Sequence, residues 1–392
     1  MDFSLVDFLI GRYCKIFIGH NWYKFMRVAL LTSSLGAGGA ERVASVLCNA
    51  WVRRGDTVKL IPTYSGGGAP FYTLDSGIDL EYLSDIVGDR SKSLTNYIRR
   101  YFALRRCLLE FKPDVVVSFL PNVNVFAILA LGFTGIPVIV CERRDPSSQP
   151  ATKFWEYACS TVYRFADALV VQTTSVRKSI GEIYPSLRKI TTIPNPLSTE
   201  LLARGPKIDT DSARKALLSL GRLAPEKQVE HTIVAFSRIA SNFIDWDLHI
   251  FGDGPNREEL ENLVSKLNMA SRIFFRGQTL DPWQVMESCD VFVMTSRFEG
   301  FPNALLEAMS VGTPCVAYDC PSGPRDISLE GNVALLANLN DQVHLASQLS
   351  ALMSDPQRRQ DLGRLARDSV IERFQLNKIL NDWDVLFKEL KD

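Results

Sequence analysis

The sequence predicts an α/β protein of two doubly wound, parallel-sheet domains in series. Three observations predict it. From Arg27 onward, short apolar runs alternate with longer amphipathic stretches, the pattern that packs helices on both faces of a parallel sheet. Glycine turns follow several of these runs directly, as at Gly36, Gly221, Gly252 and Gly277. A proline-bearing interruption, Ile193-Pro-Asn-Pro-Leu197, separates one series of runs from the next.

The first series comprises Val28–Leu31, Val58–Ile61, Val115–Phe119, Val138–Cys141, Leu169–Val171 and Ile190–Ile193, each short and apolar enough to be a buried strand. Behind the first glycine turn, Val43, Val46, Leu47, Ala50 and Trp51 form one helical stripe. The second series comprises Leu217–Leu220, Leu248–Phe251, Ile273–Phe275, Val291–Met294, Cys315–Tyr318 and Val333–Leu336. Between the two, a polar link runs to about Ser212. The chain closes on a helix over Leu376–Leu390 with an apolar stripe and no strand after it. Open α/β sheets bind ligands at the carboxyl ends of their strands, so two such edges place a site in the cleft between domains.

Composition is that of an ordinary globular protein: 392 residues, 46% apolar, 22% charged, formal net charge zero. Residues 1–200 hold 23 Lys+Arg against 17 Asp+Glu, and the remainder holds 21 against 27. A mildly basic first half suits an acidic surface or charged acceptor, and no clustered stripe points to nucleic acid. The eight cysteines form no CxxC pair and mostly sit in apolar contexts, which predicts buried free thiols. Four histidines, none paired at i,i+4, argue against a zinc site. Asp-x-Asp spacings at Asp209/Asp211, Asp245/Asp247 and Asp382/Asp384 raise a divalent cation, but none ends an apolar strand beside a glycine turn, so no metal is expected. No run of apolar residues spans a membrane. Residues 1–25 are aromatic-rich but interrupted by Asp7, Arg12 and Lys15; they read as upstream of a true start at Met26 or as a membrane-surface segment. Leu94 to Lys112 mixes Arg99, Arg100, Arg105 and Arg106 with Tyr97, Tyr101, Phe102, Leu108 and Phe111, which suits either an anionic membrane surface or a half-buried helix with a solvated basic face.

The richest stretch is Arg297 to Met309. An apolar run stops at Thr295-Ser296, Glu299 follows, Gly300 permits a turn, and Pro302 is placed to begin a helix. Glu307 falls about one and a half turns in. An open helix N-terminus behind a glycine turn is an anion site, and two glutamates flanking it can hold hydroxyls. Arg222 and Lys227, five residues apart after the first run of the second series, can straddle a diphosphate and take over the electrostatic work of a metal. The turn Gly36-Ala-Gly38-Gly39-Ala-Glu41 lacks the downstream acid of a dinucleotide site, since the next run ends Leu60-Ile-Pro-Thr-Tyr64.

On these residues the chain resembles the retaining GT-B glycosyltransferases of family 4. Arg222 and Lys227 match that family's phosphate-binding pair, and Glu299 with Glu307 matches its E-x7-E signature. Gly36-Ala-Gly38-Gly39-Ala-Glu41 is similar to its N-domain glycine loop. Cys141-Glu-Arg-Arg-Asp-Pro146 and Cys320-Pro-Ser-Gly-Pro-Arg325 resemble the subgroup that builds bacterial surface polysaccharides and lipid-linked glycans.

The resemblance implies a GT-B fold, two Rossmann-like domains facing across a cleft. It implies an acceptor-side domain over 26–200, a nucleotide-sugar domain over 213–370, and residues 371–392 as a helix crossing back. It implies metal-independent transfer, with retention, of a hexosyl or N-acetylhexosaminyl group from a nucleotide sugar, UDP favoured over GDP. The acceptor is a glycan or a polyprenyl-diphosphate-linked oligosaccharide. The nucleotide sugar is a substrate, and no cofactor is implied. The location is cytoplasmic, or peripheral on the inner membrane face. Glu299, Arg222 and Lys227 carry the chemistry by this likeness, with Glu299 on the donor sugar and Glu307 on the ribose. Gly38, Gly39, Gly252, Gly277, Gly300, Phe301, Pro302, Asn303, Ala304 and Leu305 complete the donor contacts. Many members carry a histidine where this chain reads Ser118-Phe-Leu-Pro-Asn122-Val-Asn124. Asn122 or Asn124 stands in for it, or another group positions the acceptor, with Arg143 and Arg144 on that side. A two-domain nucleotide-sugar epimerase and a non-catalytic nucleotide-sugar binding protein are the alternatives.

Overall fold

The computed structural model describes residues 25–64, 66, 68–88, 93–148, 151–205 and 214–391, and the backbone of two short paired strands at Phe17–Ile18 and Asn21–Trp22. Most of the expected N-terminal extension, residues 206–213 of the link and with them the Asp209/Asp211 pair lie outside the described residues.

Seven strands form the first sheet: β1 (Arg27–Thr32), β2 (Thr57–Pro62), β3 (Asp79–Leu80), β4 (Val115–Phe119), β5 (Val138–Cys141), β6 (Ala168–Val171) and β7 (Ile190–Thr192), in the order β3-β2-β1-β4-β5-β6-β7. β1 pairs parallel to β2 and to β4, with Val28 opposite Val58 on one side and Val115 on the other. All five residues of β4 are buried, as expected of a strand covered on both faces. The edge strand β3 was not legible: two residues, one of them Asp79, carry no apolar run. Helix α1 (Gly39–Arg53) follows β1, α2 (Leu94–Phe111) precedes β4, and α3 (Pro121–Leu131) follows it. Along α1 the buried stripe is wider than expected; Ala44, Ser45 and Cys48 join it, and Val46 is only half-buried.

The second sheet has six strands: β8 (Lys215–Leu220), β9 (Trp246–Phe251), β10 (Ile273–Gly277), β11 (Val291–Met294), β12 (Cys315–Tyr318) and β13 (Leu335–Ala337), ordered β10-β9-β8-β11-β12-β13 and paired in parallel. Adjacent residues of a strand point to opposite faces. Leu217, Val291 and Val293 therefore enter one core with Phe236 and Trp246. Leu218, Phe292 and Met294 enter the other with Leu305, Met309 and Phe374. The short helix α4 (Thr199–Ala203) leads in, and α5 (Val229–Ile239) and α6 (Asn303–Ser310) follow β8 and β11. Helices α7 (Pro356–Phe374) and α8 (Leu376–Glu389) end the chain.

The chain divides into two compact units, Met1–Ile139 and Val140–Asp392, the second holding β6, β7, the proline-bearing crossing and the whole second sheet. In that unit the crossing is tied to the end of α7 by Leu197 N–H donating to the Phe374 carbonyl at 2.8 Å. Helix α8 buries Leu376, Ile379, Leu380, Trp383, Leu386 and Phe387, and its Glu389 pairs with Lys189 beside β7. Cys48, Cys107, Cys141, Cys159, Cys289, Cys315 and Cys320 are buried. Among the described residues, no helix is long and apolar enough to cross a membrane.

Candidate functional site

Each sheet has one place where neighbouring strands send their chains in opposite directions. There the loops diverge and leave a crevice. In the second sheet this place is β8 beside β11, and the two stretches singled out from sequence are the loops leaving those strands. After β8 the chain passes Gly221 and the exposed Arg222 into a 3-10 turn, Pro225–Lys227, and Gln228 takes a left-handed φ of 46° before α5. Backbone and hydroxyl bonds join the two loops. Arg297 N–H donates to the Glu226 carbonyl at 2.8 Å, and the Thr295 hydroxyl lies 3.1 and 2.9 Å from the Lys227 and Gln228 carbonyls.

This join brings the Lys227 ammonium to 2.6 Å from Glu299 Oε1. Ser296 Oγ donates to the same oxygen at 2.6 Å, and Ser322 Oγ donates to the Glu299 carbonyl. Burial alone would lower the Lys227 amine, but the Glu299 charge and hydrogen bond outweigh it and hold the amine above its ordinary value. Lys227 is therefore held as a cation, fixed at the crevice beside the Glu299 carboxylate.

Helix α6 starts at Asn303 rather than at Pro302, which is its N-cap with no side-chain capping bond. In its first turn the Asn303 and Leu306 amides donate to the Phe301 and Pro302 carbonyls at 2.9 and 3.1 Å, so the amides of Ala304 and Leu305 are the ones left for an anion. Glu307, one turn on, is 7% exposed and accepts from the Trp283 indole N–H at 3.2 Å. Arg204 lies 5.4 Å from the Trp283 ring centre and binds Asp281 at 2.5 Å and Glu287 at 3.1 Å, so Trp283 is held on both sides. Phe301 and Leu305 point into the core, Phe301 edge-on to Phe374 at 5.8 Å, so their share in any site is their backbone.

Two glycines are explained by neighbours rather than by a ligand. A Cβ on Gly252 would lie 1.9 Å from the Gly221 carbonyl oxygen, and φ there is +128°, so Gly252 lets two strand ends approach. Gly300 does not have a positive φ; a Cβ there would lie 2.1 Å from the Arg143 carbonyl oxygen and 2.9 Å from Arg144 Cα. Close approach, not the turn expected from sequence, requires it. Gly277 has φ +71° and open space around it.

In the first sheet the corresponding place is β1 beside β4. Gly38 is the N-cap of α1 without a side-chain cap, Gly39 begins the helix, and Glu41 accepts from Ser34 Oγ at 2.7 Å. Asn122, half-buried at the start of α3, lies beside the Tyr64 phenol, which burial pushes up to about 12. Asn124 corrects the expectation. It is fully buried with its carbonyl oxygen 2.7 Å from Ser118 Oγ, so it ties α3 to β4 and cannot reach an acceptor. Arg143 also faces inward: its Nη1 donates to Asn195 Oδ1 at 2.8 Å, and burial lowers its guanidinium to about 10. Arg144 is half-buried beside it.

Among the described residues no three His, Cys, Asp or Glu side chains gather as a metal site. Asp247 of the Asp-x-Asp spacings is taken by Arg214 and Arg272.

Comparison with known proteins places this geometry in a family. Residues 205–369 match the family described as Glycosyl transferases group 1, and residues 37–201 match Glycosyltransferase Family 4. The lipopolysaccharide 1,6-galactosyltransferase of Salmonella typhimurium is 33% identical over 331 residues, covering 78% of this chain and 84% of that protein. The chain is a family 4 glycosyltransferase.

Another relative of this glycosyltransferase is the GalNAc-alpha-(1->4)-GalNAc-alpha-(1->3)-diNAcBac-PP-undecaprenol alpha-1,4-N-acetyl-D-galactosaminyltransferase of Campylobacter jejuni, 26% identical over 94% of this chain and 99% of its own. Solved structures share the GT-B fold. Sucrose-phosphate synthase from Thermosynechococcus elongatus has a TM-score of 0.80 at 17% identity, over 93% of this chain and 99% of that one. Anabaena HepE in complex with UDP and glucose has 0.76 at 16%, over 93% and 99%. Membership in a glycosyltransferase family decides against the epimerase. Sequence reasoning missed Trp283, Ser296, Ser322, Asn195 and Arg204. Asn195, framed by two prolines, Ser322, inside Cys320–Arg325, and Ser296, at a strand end, each carried a local signal.

Proposed function

We propose that this glycosyltransferase moves a hexosyl or N-acetylhexosaminyl group, with retention, from a UDP-sugar to a growing lipid-linked or surface glycan. The single observation that carries the reading is the Lys227–Glu299 pair at the crevice between β8 and β11, with the open amides of α6 and Glu307 following on the same loop and helix. A diphosphate takes the Lys227 and Arg222 charges and the α6 amides. The donor sugar hydroxyls take Glu299, and the ribose takes the Glu307 carboxylate that Trp283 holds in place. As the anomeric carbon–oxygen bond breaks, UDP leaves with the bonding pair. Arg222 and Lys227 stabilise that charge without a metal. The acceptor oxygen bonds to the anomeric carbon on the face the diphosphate leaves, and its proton passes to the departing diphosphate oxygen.

The undecaprenyl-linked substrate in the name of the Campylobacter relative and the UDP bound in the Anabaena structure support the choice of acceptor and donor. A peripheral position at the cytoplasmic membrane face is supported by α2, which exposes Ile98 and Phe102 beside Arg99 and Arg106.

The test is transfer from a panel of UDP- and GDP-sugars to a polyprenyl-diphosphate-linked oligosaccharide, with proton NMR of the product. The expected result is UDP released only with acceptor, unaffected by EDTA, and an α-linked product from an α-linked donor. Donor consumption without acceptor, or inversion, overturns the reading.

A further inference from the structure

Residue Gly300 is pressed against the Arg143–Arg144 backbone, which forms one wall of the loop that carries Glu299. The opposite side is held by the second sheet itself. Ser322 binds the Glu299 carbonyl, and a Cβ on Gly323 would lie 2.2 Å from Pro302 Cδ. On the Arg143 side the grip ends in a side-chain relay. Arg143 Nη1 donates to Asn195 Oδ1 at 2.8 Å, and Asn195 Nδ2 donates to Asn303 Oδ1 at 2.9 Å.

The polarity of this relay is not arbitrary. A guanidinium can only donate, so Asn195 must turn its oxygen to Arg143 and its amide to Asn303. Asn303 is then the acceptor at the first position of α6. Asn195 is also rigid. Pro194 and Pro196 flank it, and both a proline and the residue before one are confined in backbone angle. Backbone bonds fix the segment at both ends, Ile193 N–H to the Val171 carbonyl at 2.8 Å and Leu197 N–H to the Phe374 carbonyl at 2.8 Å. The residue is 5% exposed.

We infer that Asn195, on the crossing between the two sheets, is a positioning residue for the donor: it aims the α6 N-terminus and Glu307 by holding Asn303. The inference rests on the proposed donor site. α6 has no side-chain cap of its own, and Glu307 lies one turn after Asn303, so a shift of Asn303 re-aims both the open amides and the carboxylate. A side chain that merely filled space would leave donor affinity alone once the fold survived. A positioning residue moves donor affinity and leaves acceptor affinity in place. The crossing thereby becomes part of the donor site rather than a passive connection.

The experiment measures UDP affinity by calorimetry, and donor KM, acceptor KM and kcat on full-length enzyme, for wild type, Asn195→Leu and Asn195→Asp. Leu keeps the branched shape and deletes both bonds; donor KM and the UDP dissociation constant rise about tenfold while acceptor KM stays within about twofold. Asp still accepts from Arg143, and the Asn303 amide can turn over to donate to it, so the rise is at most about threefold. Unchanged donor KM in Asn195→Leu, or an equal loss in both variants, overturns the inference. Should Asn195→Leu not fold, Asn195→Ala, Asn303→Ala and the double variant decide. Direct coupling makes their effects on donor KM non-additive by at least about threefold, and additive effects overturn it. Wild type that binds no UDP overturns the proposed function itself; wild type that binds it as Asn195→Leu does overturns only this inference.

Discussion

Substituting Glu299→Gln separates two roles that the Lys227–Glu299 pair merges. Lys227 is the proposed phosphate cation, yet it is bonded to Glu299 at 2.6 Å, so an incoming β-phosphate competes with a carboxylate for one ammonium. The side chains are 30% and 13% exposed, which excludes both the water limit and the dry limit of screening. At an effective dielectric near 20, unit charges that close attract by roughly 6 kcal/mol before desolvation. After desolvation a charge-assisted bond nets about 1.5–3 kcal/mol. Glutamine keeps the shape and an acceptor oxygen but removes the competing charge. Returning even 1 kcal/mol of that to the phosphate tightens UDP about fivefold. Sugar transfer moves the other way, because the group on the donor hydroxyls has lost its charge; kcat falls by about a hundredfold or more. Calorimetry with UDP alone and steady-state transfer read the two arms separately. Weaker UDP binding in Glu299→Gln would refute the competition. Unchanged kcat would remove Glu299 from the sugar.

Trp283→Phe keeps the ring under Arg204 and deletes only the indole N–H to Glu307, so donor KM should rise about three- to tenfold, with the melting point nearly unchanged; a donor KM equal to wild type shows that Glu307 needs no such hold. Gly300→Ala sets a Cβ 2.1 Å from a backbone oxygen, and relief requires main-chain movement, so urea denaturation should show a loss of about 1–3 kcal/mol; a midpoint equal to wild type would mean that the Arg143 wall yields freely. Asp247 supplies a pH dependence. Burial favours its neutral acid, but Arg214 and Arg272 outweigh this and hold the carboxyl below its ordinary 3.8. The stabilisation is therefore complete above that pH and lost as pH falls below it. Asp247→Asn should lower stability at pH 7 and flatten its decline below pH 4; an unchanged acid limb in urea melts counts against the pairing.

Much of this molecule was legible because its signals are local. A parallel strand buried on both faces must be apolar throughout, and all twelve expected runs fall on observed strands within about two residues. Val333–Leu336 reaches back before its strand, which begins at Leu335, because Val333 and Ala334 are buried in the bend that precedes it. Arg222, Lys227 and Glu299 stood out as candidates for the same reason, as charges beside strand-end glycines, and the fold brings Lys227 and Glu299 together. Asn124 misled because polarity after a strand is equally the mark of an internal tie, and only its bond to Ser118 tells the two apart.

Taken alone, the sequence determined the alternation of strands and helices, the two sheets and the residue types at the strand ends, since each follows from periodicity, turn chemistry or spacing along the chain. The tertiary structure decided which of those ends are neighbours. Parallel pairing of β8 with β11 brings residues 72 positions apart into one ion pair, Lys227 with Glu299. The fold likewise reassigned Gly300 from a turn to a close approach and gave Asn195, Trp283 and Ser322 their places. None of these could be read along the chain, because a hydrogen bond of this kind depends on distance and angle between side chains that only folding brings together.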